Sequence, residues 1–193
     1  MTEFEHEQSE DRDAVEALFD LAFAPGRSLL SSYRLRIGAE PVADLCLIAR
    51  DEFGSIVGAI RYWPIRIGAP GDPDEVQALL LGPVAVHPTR QSEGLGARLI
   101  LSSLEKAAEL GWTACLLVGD EPYYRRFGFR RALVERVAFP NPTNPKRVLG
   151  LELVPGALAR AKGPARAWAD GASERASTLN DAGRNTRSTG AET

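Results

Sequence analysis

The sequence is poor in the residues that bind metals or form covalent staples. It has two cysteines, two histidines and one methionine among 193 residues. Cys46 lies in Asp-Leu-Cys-Leu-Ile and Cys115 in Ala-Cys-Leu-Leu-Val, so each reads as a small buried hydrophobe in an apolar run. His6 and His87 fall at no ligand spacing, which leaves no basis for a zinc or iron site. A charge surplus is also missing. The 23 Lys and Arg residues stand against 26 Asp and Glu, a net charge of −3, which argues against a nucleic-acid partner or a polybasic membrane-surface role. No apolar run approaches the ~20 residues of a transmembrane helix, and Met1-Thr-Glu-Phe-Glu-His-Glu lacks the basic and apolar regions of a secretory signal. These absences predict a cytoplasmic protein with no metal, no membrane and no nucleic acid.

What is present suits one globular domain, with 44% hydrophobic and 25% charged residues and enough apolar material to need no staples. Asp11 to Phe23 places Val15, Leu18, Phe19, Ala22 and Phe23 on one helical face. Ser9 is the expected N-cap, with Glu10, Asp11 and Asp13 at the positive end of the helix dipole, so this acidic cluster needs no basic partner. Pro25-Gly26 ends that helix, and a short second one is expected over Ser28 to Arg36. The period then changes. Leu45 to Arg50, Ile56 to Ile67 and Val76 to Val86 read as three strands of an antiparallel meander, separated by Gly54-Ser55 and by Gly68-Ala-Pro-Gly-Asp-Pro-Asp. Gly82-Pro83 inside the third strand predicts a bulge or a break in pairing, since proline donates nothing to a ladder.

From Gly94 to Leu110 the residues Ala97, Ile100, Leu101, Leu104 and Ala108 form a helical stripe, with Gly111 as C-cap. Thr113 to Val118 is a continuous apolar run, the mark of a strand covered on both faces. Strand, helix and buried strand in that order imply a crossover to a parallel neighbour. A short helix near Pro122 to Phe127 and strands near Arg131–Phe139 and Val148–Val154 complete the pattern. The fold class is α+β: a mixed, mostly antiparallel sheet with one parallel strand pair and flanking helices. From Ala165 onward the composition turns to Ala, Gly, Ser, Thr, Asn and charges, with Trp168 and Leu179 as the only large apolar residues. This predicts a domain over residues 1–163 and a disordered tail over 164–193, with a partner-binding segment as the alternative.

Two segments carry candidate chemistry. In Val84-Ala-Val-His-Pro-Thr-Arg90-Gln91-Ser92-Glu93-Gly94-Leu95-Gly96-Ala97-Arg98 a strand enters a loop that opens a helix. Gly94 and Gly96 allow close backbone approach, and the free N–H groups of the first helical turn form an anion site, to which Arg90 and Arg98 can add charge. Gly-x-Gly alone is also common in structural loops. The loop matches neither a Rossmann fingerprint nor a Walker A motif. The second segment is Asp120-Glu-Pro-Tyr123-Tyr124-Arg125-Arg126-Phe127-Gly128-Phe129, which reads equally as a glycine-capped core helix.

Taken together, Gln91-x-x-Gly94-x-Gly96 opening a helix, then a strand, then Tyr124-x-x-x-Gly128-Phe129 resemble the GCN5-related N-acetyltransferases (GNAT). Gly119-Asp120, Tyr123-Tyr124, Arg126-Phe127-Gly128-Phe129 and Leu151-Glu-Leu-Val-Pro-Gly-Ala-Leu158 resemble more narrowly the bacterial YhbS-like branch. The resemblance spans about residues 3 to 160. It implies a GNAT-like sheet whose parallel strands Leu79–Val86 and Thr113–Val118 splay apart to hold acetyl-CoA as co-substrate. Val84, Ala85 and Val86 would run beside the pantetheine arm, and the backbone from Gln91 through Ser92, Glu93, Gly94, Leu95 and Gly96 to Ala97, with Arg90 beside it, would hold the pyrophosphate. Tyr124 would donate a proton to the leaving thiolate while an acceptor amine attacks the thioester directly.

One departure concerns the base. Where some relatives carry a strand glutamate, this chain has a position near Leu80 in an Ala-Leu-Leu-Leu run. Glu75, Asp120, Glu121 and Glu40 are candidates acting through water, but each also reads as a solvated surface carboxylate, and His87 as a loop-packing residue. Trp63 and Trp112 read as packing residues. The expected function is an N-acetyltransferase acting on a primary amine, small molecule or protein, by a monomer or homodimer. A noncatalytic acyl-CoA-binding module and an enzyme with a longer acyl donor are the alternatives. The acceptor's identity is expected to lie in Ser28–Arg36 and the Ile67–Glu75 loop.

Overall fold

The computed structural model describes residues 4–23 and 26–171. The meander is built from β2 (Leu47–Arg50), β3 (Ile56–Ile67) and β4 (Val76–Val86), the last two with the bounds expected from the sequence. Helix α1 (Arg12–Phe23) lies before them, with β1 (Phe4–His6) ahead of it. After β4 come α2 (Leu95–Glu109), β5 (Ala114–Val118), the short α3 (Glu121–Tyr124), β6 (Val137–Ala138), β7 (Val148–Glu152) and β8 (Gly163–Ala167). The main sheet runs β1-β2-β3-β4-β5-β7. All its pairings are antiparallel except β4–β5, so the mixed α+β class holds.

Alternation along β3 and β4 sends side chains to two faces. Tyr62, Leu79 and Leu81 face α2, together with Cys115, Leu117 and Trp112. Trp63, Ile65, Ile67 and Leu80 face the other side with Leu35, Leu116 and Val148. Helix α1 covers the start of that second face with Val15, Leu18 and Phe19 against Ile48, Ala59 and Ala85.

The buried stripe of α2 is rotated from the one expected. Leu95, Leu99, Ile100, Ser103, Leu104 and Ala107 are buried, whereas Leu101 is 55% exposed. Ser103 enters the core because the buried Tyr62 hydroxyl needs a partner, and the two oxygens stand 2.7 Å apart.

The acidic start of α1 also differs from expectation. Of Glu10, Asp11 and Asp13, Asp11 is paired with Arg50 at 2.5 Å, and further along the helix Glu16 is paired with both Arg27 and Arg61. The entry turn starts at Gln8, whose N–H donates to Asp11 at 3.1 Å, so Ser9 is not the cap.

Ser31–Arg36 forms a 3₁₀ turn. The strand expected over Arg131–Phe139 is reduced to Val137–Ala138, and the segment opens instead on another such turn, Arg131–Val134. It is closed by its own guanidinium, which donates to the carbonyls of Val134 (2.7 Å) and Glu135 (3.1 Å).

The tail requires a correction. Residues 164–171 are ordered: β8 pairs antiparallel with the second half of β3 and parallel with β6. Trp168 is 5% exposed, edge-on to Trp112 at 6.3 Å. Local composition concealed this because the partners of β8 lie far away in sequence. The rest of the expected tail, residues 172–193, lies outside the described residues.

Candidate functional site

The site begins with a count mismatch between β3 and β4. Ile60 opposes Val84 and Tyr62 opposes Leu81, so Gly82 and Pro83 together face Arg61 alone. This is the bulge that the Gly-Pro pair predicts. It bends β4 away from β5, and their parallel pairing consists of Leu79↔Cys115 and Leu80↔Leu116. Beyond it β4 faces an opening. The His87 N–H donates to Val57 on β3 at 2.8 Å. Strand alternation therefore turns the N–H and C=O groups of Val84 and Val86 toward the opening, and those of Ala85 toward β3.

Past β4 a 3₁₀ turn over Pro88–Arg90, accepted at its start by the His87 ring, leads into the loop. Gly94 caps α2 with φ +74° and no side-chain cap. The first helical bond is Arg98 N–H to Gly94 O at 3.1 Å, so the N–H groups of Leu95, Gly96 and Ala97 lack intrahelical acceptors. A Cβ on Gly96 would stand 3.4 Å from the Val86 methyl, so the missing side chain leaves a path between helix and strand. Gln91, Ser92 and Glu93 form the exposed loop. Arg90 lies 3.5 Å from both Glu52 and Glu93, and Arg98 sits over the Phe4 ring. An open strand edge ending at a turn of free N–H groups suits an extended chain that ends in an anion.

Between the parted strands is a cleft of about 310 Å³, walled by Leu80–Val84, Leu117, Val118 and Tyr124. Tyr124 lies edge-on to Phe129 at 6.0 Å, and burial raises its pKa to about 12. Tyr123 does not line the cleft. It is 40% exposed, under the Arg126 guanidinium at 4.0 Å. Gly119 makes room for the catalytic candidate, because a Cβ there would fall 2.3 Å from the Tyr124 ring.

The opposite side of the cleft comes from two segments, residues 30–36 and 142–147, joined by a hydrogen bond between the Ser31 and Thr143 hydroxyls. The first was expected. The second replaces the expected Ile67–Glu75 loop, which does not line the cleft. No Asp or Glu lines it among the described residues. Glu75 is held by Arg66 and Arg166, Asp120 lies 3.1 Å from Arg147, Glu121 accepts the Arg131 N–H and Glu40 is exposed. Two arginines, Arg36 and Arg147, do line it. Arg36 stacks over Tyr33 at 3.9 Å and Trp63 at 4.5 Å, and burial lowers its pKa to about 10. It was missed as an individual residue, since its setting depends on Trp63 in a distant strand.

The sequence matches the acetyltransferase (GNAT) domain family over residues 3–132, and the chain belongs to that family: it is an acetyltransferase by fold and sequence. Within the family it is similar to the YhbS-like branch. It is 26% identical over 122 residues to the uncharacterized N-acetyltransferase YhbS of Escherichia coli, covering 63% of this chain and 70% of that protein. It is 34% identical over 98 residues to the uncharacterized N-acetyltransferase YjhQ of the same organism, 51% of this chain and 52% of that one. The crystal structure of Escherichia coli YhbS in complex with CoA shares the fold with a TM-score of 0.73 at 23% identity, over 86% of this chain and 89% of that one. A Brucella melitensis GNAT acetyltransferase in complex with acetyl-CoA superimposes with a TM-score of 0.56 at 29% identity, over 77% and 95% of the two chains. Among the described residues no helix is long and apolar enough to cross a membrane.

Proposed function

We propose that this protein moves the acetyl group of acetyl-CoA to a primary amine that attacks the thioester directly. The observation that carries the reading is the position of Tyr124, a half-buried phenol in the wall of the opening between β4 and β5. In this reading Val84 and Val86 pair with the amides of the pantetheine arm as an added strand would. The pyrophosphate rests on the backbone from Gln91 to Ala97, with Arg90 nearby, and Gly96 leaves the path clear.

Tyr124 keeps its proton at any ordinary pH. With its pKa near 12 and that of a simple thiol near ~8.5, full transfer to the thiolate is uphill. Its role is therefore a hydrogen bond to the charge developing on sulfur, which refines the simple proton donor expected from the sequence. The amine must arrive neutral. No carboxylate lines the cleft among the described residues, and Arg36 disfavours an ammonium there, lowering the acceptor's pKa. After attack, the C–S bond breaks as the amide forms, and the proton lost from the nitrogen passes through water to the departing thiolate.

Coenzyme A release measured with a panel of amines tests the proposal, with Tyr124→Phe as the diagnostic variant. We expect kcat to fall by at least ~10-fold with the acetyl-CoA Kd nearly unchanged, as for an interaction made mainly in the transition state. Tyr123→Phe is the control and should behave as wild type. Loss of activity in Tyr123→Phe alone would shift the role to that residue, and full activity in both would remove this helix from the chemistry. Acetyl-CoA binding without turnover of any amine would favour the noncatalytic module.

A further inference from the structure

We propose that the acceptor carries an anionic oxygen group, a carboxylate or a phosphate, close to its reacting amine, and that Arg36 binds that group. This rests on the acetyltransferase reading above and names the substrate class of the same cleft.

The argument starts from an unmet demand. Nε and Nη1 of Arg36 are buried and have no hydrogen-bond partner. An arginine is a fork of five donors that cannot be left dry without cost, and buried guanidinium groups are normally paired with carboxylates. The neighbouring arginines show what pairing looks like here. Arg61 is bound by Glu7 and Glu16, and Arg27 by Glu16 and Asp20. Those carboxylates are used by those two residues, and none is bonded to Arg36. Instead, Arg36 is held between the faces of Tyr33 and Trp63, which fix the plane of the guanidinium and partly stabilise its charge. A planar cation held in this way is preorganised for a two-point contact with an oxyanion.

Position decides which anion. Trp63 pairs with Leu80 across β3 and β4, which places Arg36 beside the part of β4 still joined to β5. The N–H turn at Leu95–Ala97 lies beyond the other end of the opening, past Val86. The phosphates of coenzyme A belong at that end and the uncharged acetyl end lies between, so an anion reaching Arg36 comes with the acceptor. Charge supports the same conclusion. A polyamine or a lysine-rich peptide would bring further cations to a cleft where Arg147 is offset by Asp120 but Arg36 has no carboxylate against it, and where no carboxylate is in the lining among the described residues. An amine of opposite internal charge would be attracted, and its size fits a cleft of about 310 Å³.

The test uses matched acceptors: 4-aminobutyrate, its amide, butylamine, O-phosphoethanolamine, spermidine and a lysine-containing peptide. Coenzyme A release gives kcat/KM for each with wild type, Arg36→Gln and Arg36→Lys, all checked for folding by their thermal midpoints. We expect wild type to prefer an anionic amine over its neutral match by at least ~10-fold, and the ratio to collapse in Arg36→Gln through a rise in KM. Arg36→Lys, which keeps the charge but loses the fork, should fall between. Comparison of 4-aminobutyrate with O-phosphoethanolamine assigns carboxylate or phosphate. Equal or better use of butylamine, spermidine or the peptide by wild type would overturn the proposal, as would an unchanged ratio in a folded Arg36→Gln. Calorimetric titration of the same pairs into the protein, with and without unacetylated coenzyme A, separates this failure from failure of the acetyltransferase reading. Turnover absent but anion-selective binding lost in Arg36→Gln supports the anion site alone. No selective binding in either titration overturns it.

Discussion

A single missing side chain sets the position of Tyr124. Alanine at residue 119 would place its Cβ 2.3 Å from Cε2 and 2.7 Å from Cδ2 of the ring. Real contacts do not come so close, and a tyrosine ring packed against Phe127 and Phe129 has little room to yield. Gly119→Ala should therefore reproduce the Tyr124→Phe defect, with kcat down by at least ~10-fold and the acetyl-CoA Kd within a few-fold of wild type. In the double variant the losses should not add, because both act on one hydroxyl. Steady-state kinetics of the four proteins checks this, and additive losses would place the two residues in separate roles. At this scale the motif identified Tyr124, and it included Gly119 without its reason. Arg36 was legible only as the last residue of a segment expected to meet the acceptor. An arginine in a polar segment looks like any solvated one until Trp63, 27 positions away by residue number, is found beneath it.

At the scale of elements, the bulge in β4 was readable because proline's missing N–H is a local chemical fact. The turn of unpaired N–H groups that opens α2 was readable for a similar reason, and the anion role proposed for it invites a test. Gly96→Asp puts a carboxylate in the first turn of a helix, where the dipole favours it, so the fold should be kept. The same charge would stand in the path between α2 and Val86. We expect the acetyl-CoA Kd to rise at least ~10-fold by calorimetry while the thermal midpoint holds or rises slightly. Unchanged affinity would move the phosphate site elsewhere. Strand β8 is the opposite case. Nothing local marks Gly163–Ala167 as a strand, yet it covers the edge of β3 that β2 leaves free and delivers Trp168 to the core. Truncation after Gly163 should accordingly lower the thermal midpoint markedly. Trp168→Ala alone should cost about 3–5 kcal/mol in denaturant unfolding, as for a large buried aromatic. A midpoint that hardly moves would return this segment to the dispensable tail.

Across the whole molecule, ion pairs join elements that the core alone leaves separate. Arg61 on β3 binds Glu7 beyond β1 and Glu16 on α1, Glu16 also binds Arg27, and Arg27 donates to the Tyr33 hydroxyl at 2.5 Å. The turn that carries Arg36 is thereby tied to the sheet. Asp11 and Arg50 form a second such link. The arginines hold the carboxyl groups of Asp11 and Glu16 below their ordinary range against the opposing effect of burial. Depressed carboxyl pKa values stabilise the fold above the unfolded-state values, about 4 for these groups, and that contribution disappears as protons bind below them. Thermal midpoints measured from pH 7 to pH 3 should stay level to about pH 5 and then fall. In Arg50→Gln the acid fall should be shallower, from a lower starting value. An equally steep fall in that variant would remove Asp11 from the acid response.

The sequence by itself determined the features whose cause is local: helical and strand periods, the Gly-Pro bulge, the unpaired N–H groups opening α2, and the motif that places Tyr124. Hydrogen-bond chemistry and side-chain alternation act over a few residues, so they leave a pattern that can be read in order. Tertiary structure alone decided that Arg27 and Arg61 are paired with carboxylates while Arg36 is stacked on aromatic rings, which strand covers the open half of β3, and that residues 142–147 rather than 67–75 complete the cleft. Each of these depends on the distance between groups far apart in the chain, and therefore on how the sheet twists and closes. Ser31 and Thr143 meet across 112 positions, and Arg166 reaches Glu75 across 91. No local pattern records such a meeting, because its energy is gained only once the elements between have packed.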